Sequence, residues 1–199
     1  LVGYKFINNG KIYKPTKVLD NKNVIFNSNK NFKFTSEFQK ELLTDTNERE
    51  GENYSKYFVF PSLEPKETNS DLKNFTVTSE YKFKELLSLK SKIYIEGSSR
   101  TGKSILAKYL TNQLSEDYTI LYLTEDSFAP KNVKNIIKYA IQNEYGDEAD
   151  CDEFFQLDKE KKILIVDGSD RVAKEKWDIF MNEYSDQFGH IITFCNIDW

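Results

Sequence analysis

The chain has 199 residues, with 28 Lys and Arg against 32 Asp and Glu and a net charge of −4. The two signs alternate along it without a basic block, which reads as a solvated surface and argues against a broad footprint for nucleic acid. Apolar residues make up 39% of the chain, enough for a packed core, yet no run approaches the ~18 that a membrane span needs.

In chain order, residues 1–75 read as an irregular, Asn- and Lys-rich α+β region. It starts Leu1-Val2-Gly3-Tyr4-Lys5, which has neither a Met nor the layout of an export signal, so we read the chain as a portion of something longer. Phe6 to Tyr13 predicts a small hairpin, because Asn9-Gly10 suits a tight primed turn. Val24-Ile25-Phe26 predicts a short strand. Phe34, Phe38 and Leu42 form one stripe of a short helix. Thr44 to Asn53 is a polar loop, and the apolar run Tyr57-Phe58-Val59-Phe60 is stopped by Pro61.

Residues 76–199 are more regular. A helix opens near Ser79 with Phe83, Leu86 and Leu87 on its apolar face, and Ile93-Tyr94-Ile95 is a strand. A helix from about Gly102 to Leu114 carries Leu106, Leu110 and Leu114, and Thr119 to Leu123 is the next strand. Val133, Ile136, Ile137, Ala140 and Ile141 fit helical spacing. Ile163-Leu164-Ile165-Val166 is apolar throughout, as in a parallel strand covered on both faces. Trp177, Phe180, Met181, Tyr184 and Phe188 predict a helix, and Ile191 to Phe194 a last strand. The alternation predicts an α/β fold with a mostly parallel sheet. Cys151 and Cys195 have no metal-type spacing and read as small apolar residues in a reducing cytoplasm.

The strongest chemical signal is Gly97-Ser98-Ser99-Arg100-Thr101-Gly102-Lys103-Ser104, which matches G-x-x-x-x-G-K-[ST] at every fixed position. Polyphosphate is a dense anion. Backbone N–H groups wrap it only where the chain bends tightly, which Gly97 and Gly102 permit. The following helix, from Lys103 through Ser104 and Ile105, aims its positive end at the phosphates. Lys103 would reach the β- and γ-phosphates, and the Ser104 hydroxyl would ligate Mg²⁺. Some sixty residues on, Ile163 to Val166 runs into Asp167-Gly168-Ser169-Asp170. Asp167 then sits at the carboxyl end of its strand, where it would hold Mg²⁺ opposite Ser104. Asp170 would polarise an attacking water or simply serve the turn. Arg171 is read as an ion-pair partner before a phosphate sensor, and His190 as a packing residue.

Together, Ile95 through Ser104 and Ile163 through Asp170 resemble the STAND class of P-loop signalling ATPases, including NACHT-like members of bacterial defence systems. Phe58-Val59-Phe60-Pro61 also resembles the stretch that precedes the P-loop there. The resemblance implies a three-layer P-loop NTPase core that is incomplete at the C-terminus, and a last strand inserted between the two nucleotide-binding strands. It implies ATP and Mg²⁺ as cofactors, Lys103, Asp167 and Asp170 as catalytic residues, and Asn196 as a sensor near the γ-phosphate. It also implies an effector domain and a ligand sensor elsewhere in the full protein, and nucleotide-driven self-association. Two features depart from the class pattern: Arg171 stands where Glu is common, and a metallophosphoesterase effector would need more than the single His190. The expected function is a nucleotide-dependent switch with slow hydrolysis. A small-molecule kinase and a binding module with a vestigial P-loop are the alternatives. Only Arg49, Arg100 and Arg171 are present, few for a kinase lid.

Overall fold

The computed structural model describes residues 32–44, 58–66, 75–130 and 132–196, and before them the backbone of four short strands. Contacts divide the chain into two compact units, residues 1–33 and 34–199.

In the first unit, β1 (Phe6–Asn8) and β2 (Lys11–Tyr13) pair antiparallel with Asn8 opposite Lys11. The tight turn expected at Asn9-Gly10 lies outside the described residues. β3 (Val18–Leu19) and β4 (Asn23–Val24) form a second antiparallel pair. The expected strand at residues 24–26 is β4; Ile25 and Phe26 lie outside the described residues, as does the expected polar loop beyond Thr44.

The second unit begins with α1 (Ser36–Leu43), whose first turn is capped by Thr35 Oγ1 accepting from Phe38 N at 3.2 Å. Then come α2 (Glu80–Leu89), β5 (Lys92–Gly97), α3 (Lys103–Leu114), β6 (Thr119–Thr124) and α4 (Val133–Tyr145). The chain continues through α5 (Cys151–Gln156), β7 (Lys162–Asp167), α6 (Lys174–Tyr184) and β8 (His190–Asn196). Short α5 is not anticipated by the sequence pattern. Its adjacent Phe154 and Phe155 show no helical period, and only Asp150, accepting from Asp152 N and Glu153 N, marks its start. The helix expected to include Phe188 ends at Tyr184; a 3₁₀ turn follows, and Phe188 is buried beyond it.

The four strands β5, β8, β7 and β6 form one all-parallel sheet in that order. β8 therefore lies between β5 and β7. The register brings the carboxyl ends of the strands into line: Gly97 faces Asn196, and Asp167 faces Phe194 on one side and Thr124 on the other. β7 is buried at every position from Lys162 to Asp167, because helices cover both faces and neighbours flank it. β5, at the sheet edge, buries only alternate residues, Ile93 and Ile95.

On one face, Ile95, Ile120, Ile165 and Phe194 pack against Leu106 and Leu110 of α3, and α1 and α2 join through Phe38, Leu42, Phe83 and Leu87. Each of these large side chains contributes about 1.5–3 kcal/mol by leaving water. A second cluster is aromatic, running from Phe128 through Trp177 and Phe180 to Tyr184. The contact boundary at 33/34 precedes the change of sequence pattern near residue 75 for a physical reason. Phe34 stacks on Tyr145 with centroids 5.1 Å apart, and Phe58 stacks on Tyr109 of α3 at 4.1 Å. The irregular residues of this stretch are thus part of the core that the regular ones build. Among the described residues no helix is long and apolar enough to cross a membrane.

Candidate functional site

The Gly97–Ser104 segment is the turn that joins β5 to α3, at the carboxyl edge of the sheet. Gly97 is required by space: a Cβ there would lie 2.9 Å from Thr101 Oγ1. Gly102 is required by conformation, with φ at +84° and nothing near a Cβ. Arg100 is the one other left-handed residue of the loop, at φ 63°. Backbone of alternating hand turns successive N–H groups to one side and forms concavities that suit anions. Ser98 to Gly102 and Ser104 are exposed, Ile105 and Lys103 partly so. The first turn of α3 holds no acidic residue and has no side-chain cap, whereas α1, α2, α4 and α5 are capped by Thr35, Ser79, Asn132 and Asp150. The N–H groups that begin α3 are therefore not taken up by a capping side chain.

Lys103 folds back over the loop. Its ammonium donates to Gly97 O at 2.8 Å, to Ser98 O at 2.7 Å and to Asn196 Oδ1 at 3.2 Å. Thr101 Oγ1 donates to the same Ser98 carbonyl at 2.9 Å. The other end of the Asn196 amide donates from Nδ2 to Asp170 Oδ2 at 2.5 Å. An unbroken chain of hydrogen bonds thus runs from the loop lysine through the end of β8 to the acid after β7. It exists because β8 sits between β5 and β7, so that Asn196 meets both.

Asp167 ends β7 and is buried, 7% exposed; its carboxylate accepts from Tyr122 Oη at 3.5 Å. That contact is to the neighbouring strand β6 and not to Ser104, whose exposed hydroxyl lies in the first turn of α3. Gly168 N donates to Phe194 O at 3.0 Å, tying the turn after Asp167 to β8. Asp170 stands in the short 3₁₀ turn Ser169–Arg171. Of the twelve residues the sequence singles out, Gly97, Ser98, Thr101, Lys103, Asn196 and Asp170 are joined directly by hydrogen bonds. Ser99, Arg100, Gly102, Ser104 and Ile105 follow from the loop and the start of α3, and Asp167 adjoins through the register.

Arg171 is bound to Glu125 in a two-pronged pair, Nε to Oε2 at 2.7 Å and Nη1 to Oε1 at 3.0 Å. His190 opens β8, about 20 Å along the strand from Asn196, with its ring edge-on to Tyr118. Burial pushes the Cys195 thiol up, with Glu96 and Asp170 adding to it, and burial does the same for half-exposed Cys151. Neither thiol is poised as a thiolate nucleophile.

Two residues with polar roles escape sequence reasoning. Tyr122 lies in an apolar strand and reads as core. Glu144, near the end of α4, carries no role in the sequence reading, yet it is buried and its Oε1 accepts from Tyr122 N at 2.9 Å. Among the described residues no group of three His, Cys, Asp or Glu side chains could cage a metal alone. The available donors, a hydroxyl at Ser104 and a carboxylate at Asp167, are hard oxygens of the kind that Mg²⁺ accepts beside phosphate and water. The sequence matches no protein-family model and no curated protein.

Proposed function

We propose that residues 76–199 belong to a P-loop NTPase core that binds ATP with Mg²⁺ and serves as the nucleotide-dependent switch of a STAND-like signalling or defence ATPase. The single observation that carries this reading is the chain Lys103–Asn196–Asp170, which links a phosphate-type loop to an acidic strand end across an inserted strand.

Each residue has a chemical task. The N–H groups of the loop and of the first turn of α3 would cradle the phosphates. Lys103 would exchange its carbonyl partners, Gly97 and Ser98, for β- and γ-phosphate oxygens. Ser104 and Asp167 would hold Mg²⁺, which supplies neutralisation of the phosphate charge. Asn196 touches both Lys103 and Asp170, so a γ-phosphate drawing Lys103 forward would change the hydrogen bonding around Asp170. Asp170 would accept a proton from, or orient, an attacking water. Such a site suits long-lived bound states, in which ATP favours an assembled active form and hydrolysis resets it. In this reading an effector domain and a ligand sensor would lie elsewhere in a longer protein.

The test is a melting experiment with Mg·ATP. Wild type gains stability as RT ln(1 + [L]/Kd), about 2.7 kcal/mol at a hundred times Kd. Lys103→Ala loses that gain entirely while its nucleotide-free melting temperature stays close to wild type. Equal shifts in the two proteins would identify the loop as vestigial and end this reading. ATP-dependent phosphorylation of nucleosides or sugars would replace it with the kinase.

A further inference from the structure

Asp167 is held from the side of β6. Tyr122 and Asp167 lie on adjacent parallel strands, with Tyr122 opposite Ile165, two residues before Asp167, so both side chains point to the α3 face. Both are nearly closed to solvent, 6% and 7% exposed. At 3.5 Å the phenol-to-carboxylate contact is long, but with water excluded a hydroxyl dipole beside a carboxylate keeps its orienting effect. The Tyr122 ring is itself fixed. Its backbone N–H is held by Glu144 Oε1, and Phe38 packs against the ring with centroids 6.4 Å apart. The phenol donates to Oδ2 of Asp167.

We infer that Tyr122 is a positioning residue for Asp167: it engages one carboxylate oxygen, and the carboxylate so oriented would hold the Mg²⁺ of the nucleotide complex. This rests on the nucleotide reading above. Partners that orient a metal-binding carboxylate in this way govern metal affinity by about 10–100-fold, without touching the metal themselves. Nothing in the phosphate-loop motif assigns such a role to this strand; it follows from the register of β6 against β7.

Tyr122→Phe removes the hydroxyl and keeps the ring against Phe38. A fluorescent ATP analogue bound to the 199-residue chain reads the result. MgCl₂ is titrated at fixed analogue, and the analogue's affinity is measured separately in EDTA. In Tyr122→Phe the Mg²⁺ midpoint should rise about tenfold while affinity in EDTA changes by less than about twofold. Asp167→Asn runs beside it and should raise the midpoint further. If Asp167→Asn moves the midpoint and Tyr122→Phe does not, the role of Tyr122 is overturned and the nucleotide reading stands. If Tyr122→Phe lowers both affinities alike, its role is packing and the inference is again overturned. If the wild type binds no analogue, or its binding ignores Mg²⁺, the nucleotide reading falls and the inference with it.

Discussion

The two edges of the sheet are finished in opposite ways. At the β6 edge three backbone groups near the centre of the strand are met by side chains from the end of α4. Tyr145 Oη bonds both Ile120 N and Ile120 O, and Glu144 accepts from Tyr122 N. β6 is buried from Thr119 to Leu123. At the β5 edge the outward residues Lys92, Tyr94 and Glu96 stay exposed, Tyr94 at 54%, and the strand runs straight into the exposed glycine loop. The closed edge shows how a sheet is protected from pairing with other chains. The open edge shows where the fold leaves backbone N–H groups for something else. The β6 edge should therefore weigh most on stability and the β5 edge on phosphate binding, and variants can separate them.

The largest effect belongs to the closed edge. Glu144→Ala strips the acceptor from buried Tyr122 N–H and leaves a hole under α4. It should cost about 3 kcal/mol of unfolding free energy, while the metal-free affinity for nucleotide, read in EDTA and set by the loop at the other edge, stays unchanged below the melting range. Lys103→Ala should do the reverse, costing under about 1 kcal/mol because its carbonyl partners sit in an exposed loop, yet losing the ATP-dependent gain. Chemical denaturation with and without Mg·ATP checks both. If Glu144→Ala spared stability and weakened nucleotide binding, the division of labour between the edges would be wrong.

A pH series sharpens the same contrast. Burial pushes the Glu144 carboxyl well above its ordinary value of 4.5; the Tyr122 N–H it accepts works against this, and the Glu41 charge adds to it. For an acid whose value is raised in the fold, the folded state binds the extra proton. Its stabilising contribution is complete below about pH 4.5 and is lost as pH rises toward the folded value. Glu144→Gln keeps an acceptor for Tyr122 N and cannot ionise. The stability of wild type relative to Glu144→Gln should therefore fall as pH rises above the ordinary value of 4.5. A flat difference above that value would mean that Glu144 is already charged in the folded protein.

The open edge was far more legible than the closed one. The spacing of Gly97, Gly102 and Lys103 is a local pattern, and the turn, the start of α3 and the end of β5 all follow from it. The alternation of β5, α3, β6, α4 and β7 was equally plain, because each apolar period is contained within one element. The insertion of β8 was expected from the resemblance alone, since no local signal specifies which strands become neighbours. Glu144 and Tyr122 were hidden for the same reason. Their partners lie 22 and 45 residues away, across strand pairings that the residues themselves do not encode. Asn196 could be named as a candidate from the end of a strand, but its two-sided hydrogen bonding to Lys103 and Asp170 required the register of Gly97 against Asn196.

The smallest expected effect tests the rim between the two edges. Arg171 follows Asp170 directly, but its guanidinium is engaged by both oxygens of Glu125, which begins the 3₁₀ turn after β6. The side chains are 52% and 36% exposed, so solvent screens the pair, and Arg171→Ala should cost at most about 0.5 kcal/mol, less in high salt. Nucleotide affinity should stay within about twofold of wild type, because a phosphate would first have to break a bidentate pair that Glu125 holds on the β6 side. Glu125→Gln makes the comparison stricter, since it frees the guanidinium without removing it. If Arg171 is a phosphate ligand held in reserve, Glu125→Gln tightens Mg·ATP binding and Arg171→Ala abolishes the gain. If the pair only ties the turn after β7 to the turn after β6, both variants bind nucleotide as wild type does, and phosphate recognition stays with the loop that Lys103 closes.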